Sequence, residues 1–177
     1  MKKKELLKLI EAGCLSEGQE LEIFNLAPKD AKEVLLEYTK EFYLCNKAEV
    51  RIFDLPTNIA KEVLFDYIRK YSLCEEAQVK MFSLPANVAK DIILRYVKFH
   101  TILCNAAELK IFTLPSYIAK EVLIEYFEKT FFLCEATEMK IFDLPEKYAR
   151  DIFNHDSIKY ILHQKTLEKA RELNFIQ

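Results

Sequence analysis

Glycine is scarce in this chain of 177 residues, where it occurs only at Gly13 and Gly18. Average usage would give roughly a dozen glycines in a chain of this length. Tight β-hairpins depend on residues that adopt positive φ, most often glycine, so hairpins of this kind are nearly excluded. Tryptophan is absent, and the bulky apolar surface comes instead from 9 tyrosines and 13 phenylalanines.

Several functional signatures are also missing. The chain has no glycine-rich phosphate loop and no Gly-x-Ser-x-Gly elbow. No apolar run approaches the ~20 residues that span a bilayer, and the basic start at Lys2 to Lys4 lacks the apolar core of a signal peptide. The net charge of −2 creates no overall attraction to nucleic acid or to an anionic membrane.

The chain is rich in internal repetition. A phenylalanine recurs every 29 or 30 residues, and an alanine and usually a proline follow it at fixed distances. These residues are Phe24, Phe53, Phe82, Phe112 and Phe142; Ala31, Ala60, Ala89, Ala119 and Ala149; and Pro56, Pro85, Pro115 and Pro145, with Pro28 displaced by one. A fixed period of this length is typical of proteins built from repeated supersecondary units.

Each copy predicts two helices. In the second helix, apolar residues such as Ala60, Val63, Leu64 and Tyr67 share one face. We predict that good capping residues begin these helices, with proline in the first turn of the last four copies. The predicted N-caps are Asn25, Asp54, Ser83, Thr113 and Asp143. The first helix is shorter, roughly Cys45 to Phe53, and should be buried on more than one side.

The two ends of the chain depart from the repeat. Residues 2–12 predict an N-terminal capping helix that ends at Gly13, because glycine is favoured just after a helix. Residues 157–173 predict a polar-faced final helix, as the end units of stacked repeats require.

This organisation resembles the α-solenoids built from helical hairpins, the HEAT-like and armadillo-like proteins in the broad sense. The resemblance covers nearly the whole chain and implies an all-α, right-handed α-solenoid of about five helix-turn-helix repeats with a capping helix at each end. The unit is shorter than the 40 to 47 residues of those repeats, so the resemblance implies a scaffold role and no functional residue. The expected single repeat domain, 1–177, divides into a cap at 1–14, repeats at 15–43, 44–72, 73–102, 103–132 and 133–155, and a cap at 156–177.

Cysteine and histidine suggest no catalytic or metal site. Cys45, Cys74, Cys104 and Cys134 recur once per copy, whereas Cys14 lies outside the register. Equivalent positions on packed helices lie roughly 8 to 10 Å apart, too far for a disulfide, and the cysteines do not form the close pairs of a zinc site. We expect them to be small buried residues in a reducing, cytoplasmic compartment.

The three histidines share no repeat position. They are His100, His155 and His163, and His155 and His163 are two helical turns apart on one predicted face. We interpret all three as surface or cap residues, and we predict no enzyme activity, no cofactor and no metal.

Two polar columns run along the second helices. The basic column is Lys32, Lys61, Lys90, Lys120 and Arg150; the acidic column is Glu33, Glu62, Asp91, Glu121 and Asp151. A helical wheel places the acids opposite the apolar face and the basic residues on its flank, where their stems lie along apolar surface.

Two interpretations of these columns stay open. They either keep the outer face hydrated and pair between neighbouring copies, or the acidic column, extended by Glu37, Asp66 and Glu125, receives a basic or polar segment of another protein. The linking aromatics are Phe42, Tyr43, Tyr71, Phe99, Phe131 and Phe132. We expect them to fill the core between copies; exposed together, they would form a rival surface.

The leading functional hypothesis is a non-catalytic protein-protein interaction scaffold that binds a protein or peptide along a face roughly 50 Å long. The first alternative is nucleic-acid binding, which requires Lys61, Lys90, Lys120 and Arg150 to form an open basic stripe. The second is an enzyme on a HEAT-like scaffold, which requires a deep pocket that holds a histidine and carboxylates.

Overall fold

A computed structural model describes residues 1–100, 102–130, 133–158 and 161–176. These residues form helices, turns and short loops, with no β-strand among them, so the all-α prediction is confirmed. The α-helices are α1 (Lys3–Ala12), α2 (Glu17–Ile23), α3 (Pro28–Tyr38), α4 (Asn46–Arg51), α5 (Thr57–Tyr67), α6 (Glu75–Lys80), α7 (Ala86–His100), α8 (Asn105–Lys110), α9 (Ser116–Lys129), α10 (Glu135–Lys140), α11 (Glu146–Phe153) and α12 (Gln164–Glu172). Short 3-10 turns follow four of them, at Ile52–Asp54, Met81–Ser83, Ile111–Thr113 and Ile141–Asp143.

The chain divides into two compact units, Met1–Leu84 and Pro85–Gln177. In the first unit, α1 packs against α3 and α3 against α5, while α2 packs against α4 and α4 against α6. In the second unit, α7 packs against α9 and α9 against α11, while α8 packs against α10 and α10 against α12. Each unit therefore has two layers of helices that pack against their neighbours, as expected for a helical repeat.

The apolar positions of the repeat form the core of each unit. In α5, the side chains of Ala60, Val63, Leu64 and Tyr67 are fully buried, as the helical spacing predicts. The equivalent residues of α3, α7 and α9 are also buried, and they include Tyr38, Tyr96 and Tyr126. Isolated helices of this length are marginal in water, so we expect burial of this apolar face to supply most of their stability.

The second helices begin later than the capping chemistry predicts. Asp54 ends a 3-10 turn, Leu55 is extended, and Pro56 is the N-cap of α5 with ψ 135°. The carbonyl of Pro56 accepts hydrogen bonds from the N–H groups of Ile59 and Ala60, at 2.8 and 2.9 Å. The same proline is the N-cap in α9 and α11. A residue before proline is driven to extended backbone, so the helix cannot start before the proline.

The five predicted N-caps are therefore wrong: Asn25, Asp54, Ser83, Thr113 and Asp143 do not cap the second helices. The hydroxyls of Ser83 and Thr113 instead donate to the carbonyls of Lys80 and Lys110, each at 2.7 Å, within the preceding turns. Proline is the first helical residue only in the irregular first copy, at Pro28.

The two ends follow the predictions to different extents. Helix α1 ends at Ala12, and Gly13 adopts φ 145° while its N–H donates to the Leu9 carbonyl at 3.0 Å. The final helix is shorter than the predicted span of 157–173, because α12 begins only at Gln164. Ile158 and Leu162 are buried before it, and Leu162 has the register of the leucines that precede the first helices. Among the described residues, no helix combines the length and apolarity that a bilayer crossing requires.

Candidate functional site

The two polar columns occupy the positions that the helical wheel predicts. All members of the acidic column are exposed, and all members of the basic column are half-buried. The ammonium group of Lys61 lies 5.2 Å from the centre of the Phe65 ring, and the guanidinium of Arg150 lies 4.9 Å from the centre of the Phe175 ring. The basic side chains therefore run along apolar surface while the carboxylates face water.

Ion pairs connect the columns from one copy to the next. Lys32 pairs with Glu62, Lys90 pairs with Glu121, and Nζ of Lys120 lies 3.0 Å from the carboxylate of Asp151. Each lysine contacts the acid of the following copy, about 30 positions later in the sequence. This geometry matches the interpretation in which the columns pair between neighbouring copies.

The paired groups are unequally exposed. The acidic side chains of these pairs and of the Lys3–Glu33 pair are 42 to 62% exposed, whereas their lysines are only 27 to 29% exposed. The carboxylate is therefore the group that each pair presents to water. A molecule that contacts these carboxylates would meet negative charges that recur from copy to copy.

A second set of acids is buried, which the sequence analysis missed. Glu49 lies in α4, and its two carboxylate oxygens accept hydrogen bonds from the Tyr67 hydroxyl at 2.7 Å and from the Cys74 N–H at 2.6 Å. The same arrangement recurs at Glu20, with Tyr38 and Cys45, and at Glu108, with Tyr126 and Cys134. Each carboxylate thus joins the second helix of its own copy to the first helix of the next.

The third and fifth copies have different hydrogen bonds at this position. The third has Gln78, whose amide donates to the Leu73 carbonyl at 2.9 Å. In the fifth, Glu138 accepts the His163 N–H at 3.0 Å and the Thr166 hydroxyl at 2.7 Å, and Nδ1 of His163 lies 2.9 Å from its other oxygen. The recurrence of a glutamate 18 residues before a tyrosine in three copies is the only sequence signal for this network.

The buried tyrosines remain protonated donors. Burial is the largest cause that raises the pKa of Tyr67, and the hydrogen bond to Glu49 raises it further. Burial likewise raises the pKa of Tyr126 above its ordinary value. A hydroxyl that keeps its proton satisfies the buried carboxylate, which would otherwise be costly. The network therefore joins neighbouring helices within each unit.

The in-register cysteines are not buried as predicted. Cys45, Cys74, Cys104 and Cys134 are half-exposed N-caps of the first helices, and Cys14 is exposed. The backbone N–H groups of Cys45 and Cys74 donate to Glu20 and Glu49, and the side chains of both cysteines are half-exposed. Burial nevertheless raises the pKa of each of these two thiols to about 11, which keeps them as weakly nucleophilic thiols at neutral pH.

The histidines do not converge. His100 stacks on Tyr96 with ring centres 4.9 Å apart, Nε2 of His155 lies 3.7 Å from the Glu128 carboxylate, and His163 is the N-cap of α12. His155 follows α11, so the prediction that it shares one helical face with His163 is wrong. Within the described ranges, no three His, Cys, Asp or Glu side chains are grouped so that they could hold a metal ion.

The linking aromatics divide into packed and exposed residues. Phe42 stacks on Tyr38 and Tyr71 packs on Tyr67, with ring centres 5.3 and 5.2 Å apart. Tyr43 is 73% exposed and Phe99 is 43% exposed, so the prediction that all of them fill the core is wrong for these two. Phe131 and Phe132 lie outside the described residues. Tyr43 and Phe99 belong to different units, so no shared aromatic surface follows.

The first unit also contains an open groove between α1 and the end of α3, with a volume of about 410 Å³. Its lining residues are Leu7, Ile10, Glu11, Glu37, Lys40, Glu41 and Phe42. Lys40 pairs with Glu37 at 2.5 Å. The groove combines apolar side chains with an excess of negative charge, and the sequence analysis did not single it out.

No protein-family model, curated protein or solved structure matches the chain. The surfaces described above are therefore the basis for assigning a function.

Proposed function

We propose that the chain is a non-catalytic, cytoplasmic protein-protein interaction scaffold, a HEAT-like or armadillo-like α-solenoid of about five repeats. It binds another protein or a peptide segment along the second helices of the repeat. The observation that supports this proposal is the unequal exposure within the ion pairs, because each pair presents its carboxylate to water and holds its lysine against the helix. Complementary charge of this kind favours encounter and register with a basic partner.

The acidic column provides the contacts in this proposal. Glu62 and Glu121 belong to different units, and each is oriented by a lysine of the preceding copy. A partner lysine or arginine can approach such a carboxylate without breaking the fold, since the pair itself is exposed and contributes under about 1 kcal/mol. The contact energy then comes from several repeated positions rather than from one deep site.

The nucleic-acid alternative is less well supported. Lys90 and Lys120 each pair with an acid of the following copy, and Arg150 contacts Glu146 at 2.8 Å. Phosphate binding needs basic groups that neutralise phosphates and release counterions. Strongly salt-dependent retention of the protein on RNA or DNA would restore this alternative.

The experiment uses charge swaps that preserve the ion pairs. A partner is first identified by affinity capture with mass spectrometry, and its affinity is measured for the wild type, for the reversal Glu62→Lys, Asp91→Lys, Glu121→Lys, and for two swaps. The swaps, Lys32→Glu with Glu62→Lys and Lys90→Glu with Glu121→Lys, keep an ion pair but present a lysine to water.

Both the reversal and the swaps should lose partner binding, while circular dichroism of the swaps stays that of the wild type. Unchanged affinity in the folded swaps contradicts a role for the acidic column.

A further inference from the structure

The groove between α1 and α3 has a counterpart one copy later. Helix α1 is in the register of a second helix, because Lys3, Leu6 and Ile10 precede Lys32, Leu35 and Thr39 by 29 residues. The α1–α3 groove therefore corresponds to the contact between α3 and α5. A residue that differs between these two helix contacts is therefore specific to the α1–α3 groove.

A lysine bridges the later contact. Nζ of Lys70 donates to the carbonyl of Thr39 at the end of α3, at 3.1 Å, and lies 3.7 Å from the Asp66 carboxylate. In the α1–α3 groove the residue equivalent to Lys70 is Glu41, and the residue equivalent to Lys40 is Glu11. A carboxylate cannot donate to a backbone carbonyl, so Glu41 cannot make across the α1–α3 groove the hydrogen bond that Lys70 makes across the later contact.

Glu11 and Glu41 both lack a partner among the residues that the structure describes. Neither carboxylate has an ion pair or a side-chain hydrogen bond within the described part of the chain. The exposed acids Glu17, Glu33 and Glu62 of the same unit are each paired with a lysine. The two unpaired acids flank the half-buried side chains of the groove floor, which are Leu7, Ile10 and Phe42.

We propose that this groove binds a basic amphipathic segment of a partner protein. An aliphatic or aromatic side chain of that segment lies on Leu7, Ile10 and Phe42, and a lysine or arginine lies between Glu11 and Glu41. The groove volume is that of an ordinary ligand pocket, and an apolar floor with a charged rim is the pattern of a groove that receives a helix. The negative rim selects a cationic peptide over nucleic acid. This inference rests on the proposed interaction function and assigns it a specific site.

The probe is a short fluorescein-labelled amphipathic peptide of leucine and lysine, with a matched peptide in which glutamate replaces lysine. Binding is followed by fluorescence anisotropy, and the contact is mapped by methyl NMR shifts on the full chain. We expect shifts centred on Leu7 and Ile10, affinity that falls as salt rises, and no binding of the glutamate peptide.

The decisive variant is Glu41→Lys, which installs the lysine that bridges the equivalent contact of the next copy and should fold as that copy does. It should weaken peptide binding by about tenfold or more. Glu76→Lys, at an exposed acid of α6 in the same unit, is the matched control, because Glu76 belongs neither to the groove nor to the acidic column, and it should leave peptide binding unchanged.

Three outcomes would contradict the proposal that this groove binds a basic segment. They are no measurable binding of the leucine-lysine peptide, equal binding by wild type and Glu41→Lys, and NMR shifts that map to the acidic column instead. The last outcome leaves the proposed function standing, because the charge swaps at Lys32–Glu62 and Lys90–Glu121 test that function separately.

Discussion

The hydroxyl of Tyr67 donates a 2.7 Å hydrogen bond to the buried carboxylate of Glu49, 18 residues earlier in the chain. The second oxygen of Glu49 accepts the N–H of Cys74, 25 residues later. One side chain therefore ties three segments of the first unit together, and its equivalents Glu20 and Glu108 do the same. The regular stacking of helices in each unit depends on this polar link as well as on apolar burial.

Replacement of Glu49 should be costly. In Glu49→Ala, the Tyr67 hydroxyl and the Cys74 N–H both lose their acceptor in a buried site, so we expect the free energy of unfolding to fall by about 3 kcal/mol. Glu49→Gln keeps the volume and one acceptor, so it should cost about 1 kcal/mol. Urea denaturation monitored by circular dichroism measures both. The exposed acid Glu62 is the control, and a Glu62→Gln effect as large as that of Glu49→Ala would contradict this account.

Substitution of the two glycines by alanine should change the stability of the protein in opposite directions. Gly13 has φ 145° after α1, a conformation that a side chain strains, whereas Gly18 lies in α2 with open space where a Cβ would be. Gly13→Ala should destabilise the protein by about 1 kcal/mol, and Gly18→Ala should stabilise it by up to about 1 kcal/mol. Thermal unfolding of the two variants would show shifts in opposite directions; shifts of the same sign would be inconsistent with these backbone conformations.

The sequence predicts some features of this protein and not others for physical reasons. The buried face of α5 follows from spacing, because Ala60, Val63, Leu64 and Tyr67 recur at helical intervals. Glu49 could not be recognised in the same way, since a glutamate beside a buried alanine looks like any solvated charge. Its burial depends on donors 18 and 25 positions away.

The start of the second helices and the ion pairs between columns also could not be predicted from the sequence alone. Asp54 has the chemistry of an N-cap, yet the Leu55–Pro56 step imposes extended backbone and the helix begins at Thr57. A helical wheel places the two columns but does not show which acid each lysine contacts, so the ion pairs between copies could be established only from side-chain positions. The proposed groove site depends on Glu41 in place of a lysine, a difference that has meaning only once Lys70 is seen to bridge the equivalent contact.

The cysteines should differ in reactivity. Cys14 is exposed, whereas burial raises the pKa of Cys74 from 9.0 to about 11 and so lowers its thiolate fraction by roughly a hundredfold at neutral pH. Iodoacetamide at pH 8 should therefore modify Cys14 well before Cys45 or Cys74, as peptide mass spectrometry would show. The alkylation rate of Cys74 should keep rising up to a pH of about 11. A rate that levels off near pH 9 would contradict the raised pKa.

Stability should fall in alkaline solution. The folded protein holds the protons of Cys45 and Cys74 up to a pH of about 11, whereas the unfolded chain releases them near 9. Above pH 9 the unfolded state therefore binds fewer protons, and the free energy of unfolding decreases as pH rises. Denaturation at pH 8 and pH 10.5 measures the loss, which Cys45→Ala with Cys74→Ala should reduce. Equal losses in the variant and the wild type would assign the effect to other groups, such as the buried tyrosines.

The ion pairs between columns should be weak, and the swap design for the binding face depends on that weakness. Nζ of Lys120 lies 3.0 Å from the Asp151 carboxylate, and both side chains are partly exposed. Each single reversal, Lys120→Glu or Asp151→Lys, should cost about 0.5 kcal/mol, and the double swap should recover most of that loss. A double-mutant cycle by urea denaturation gives the coupling energy, which should stay below about 1 kcal/mol and shrink in high salt. A coupling above about 2 kcal/mol would mean that the columns hold the helices together. The acids would then be structural parts of the stack, and reversing them would test folding rather than partner binding.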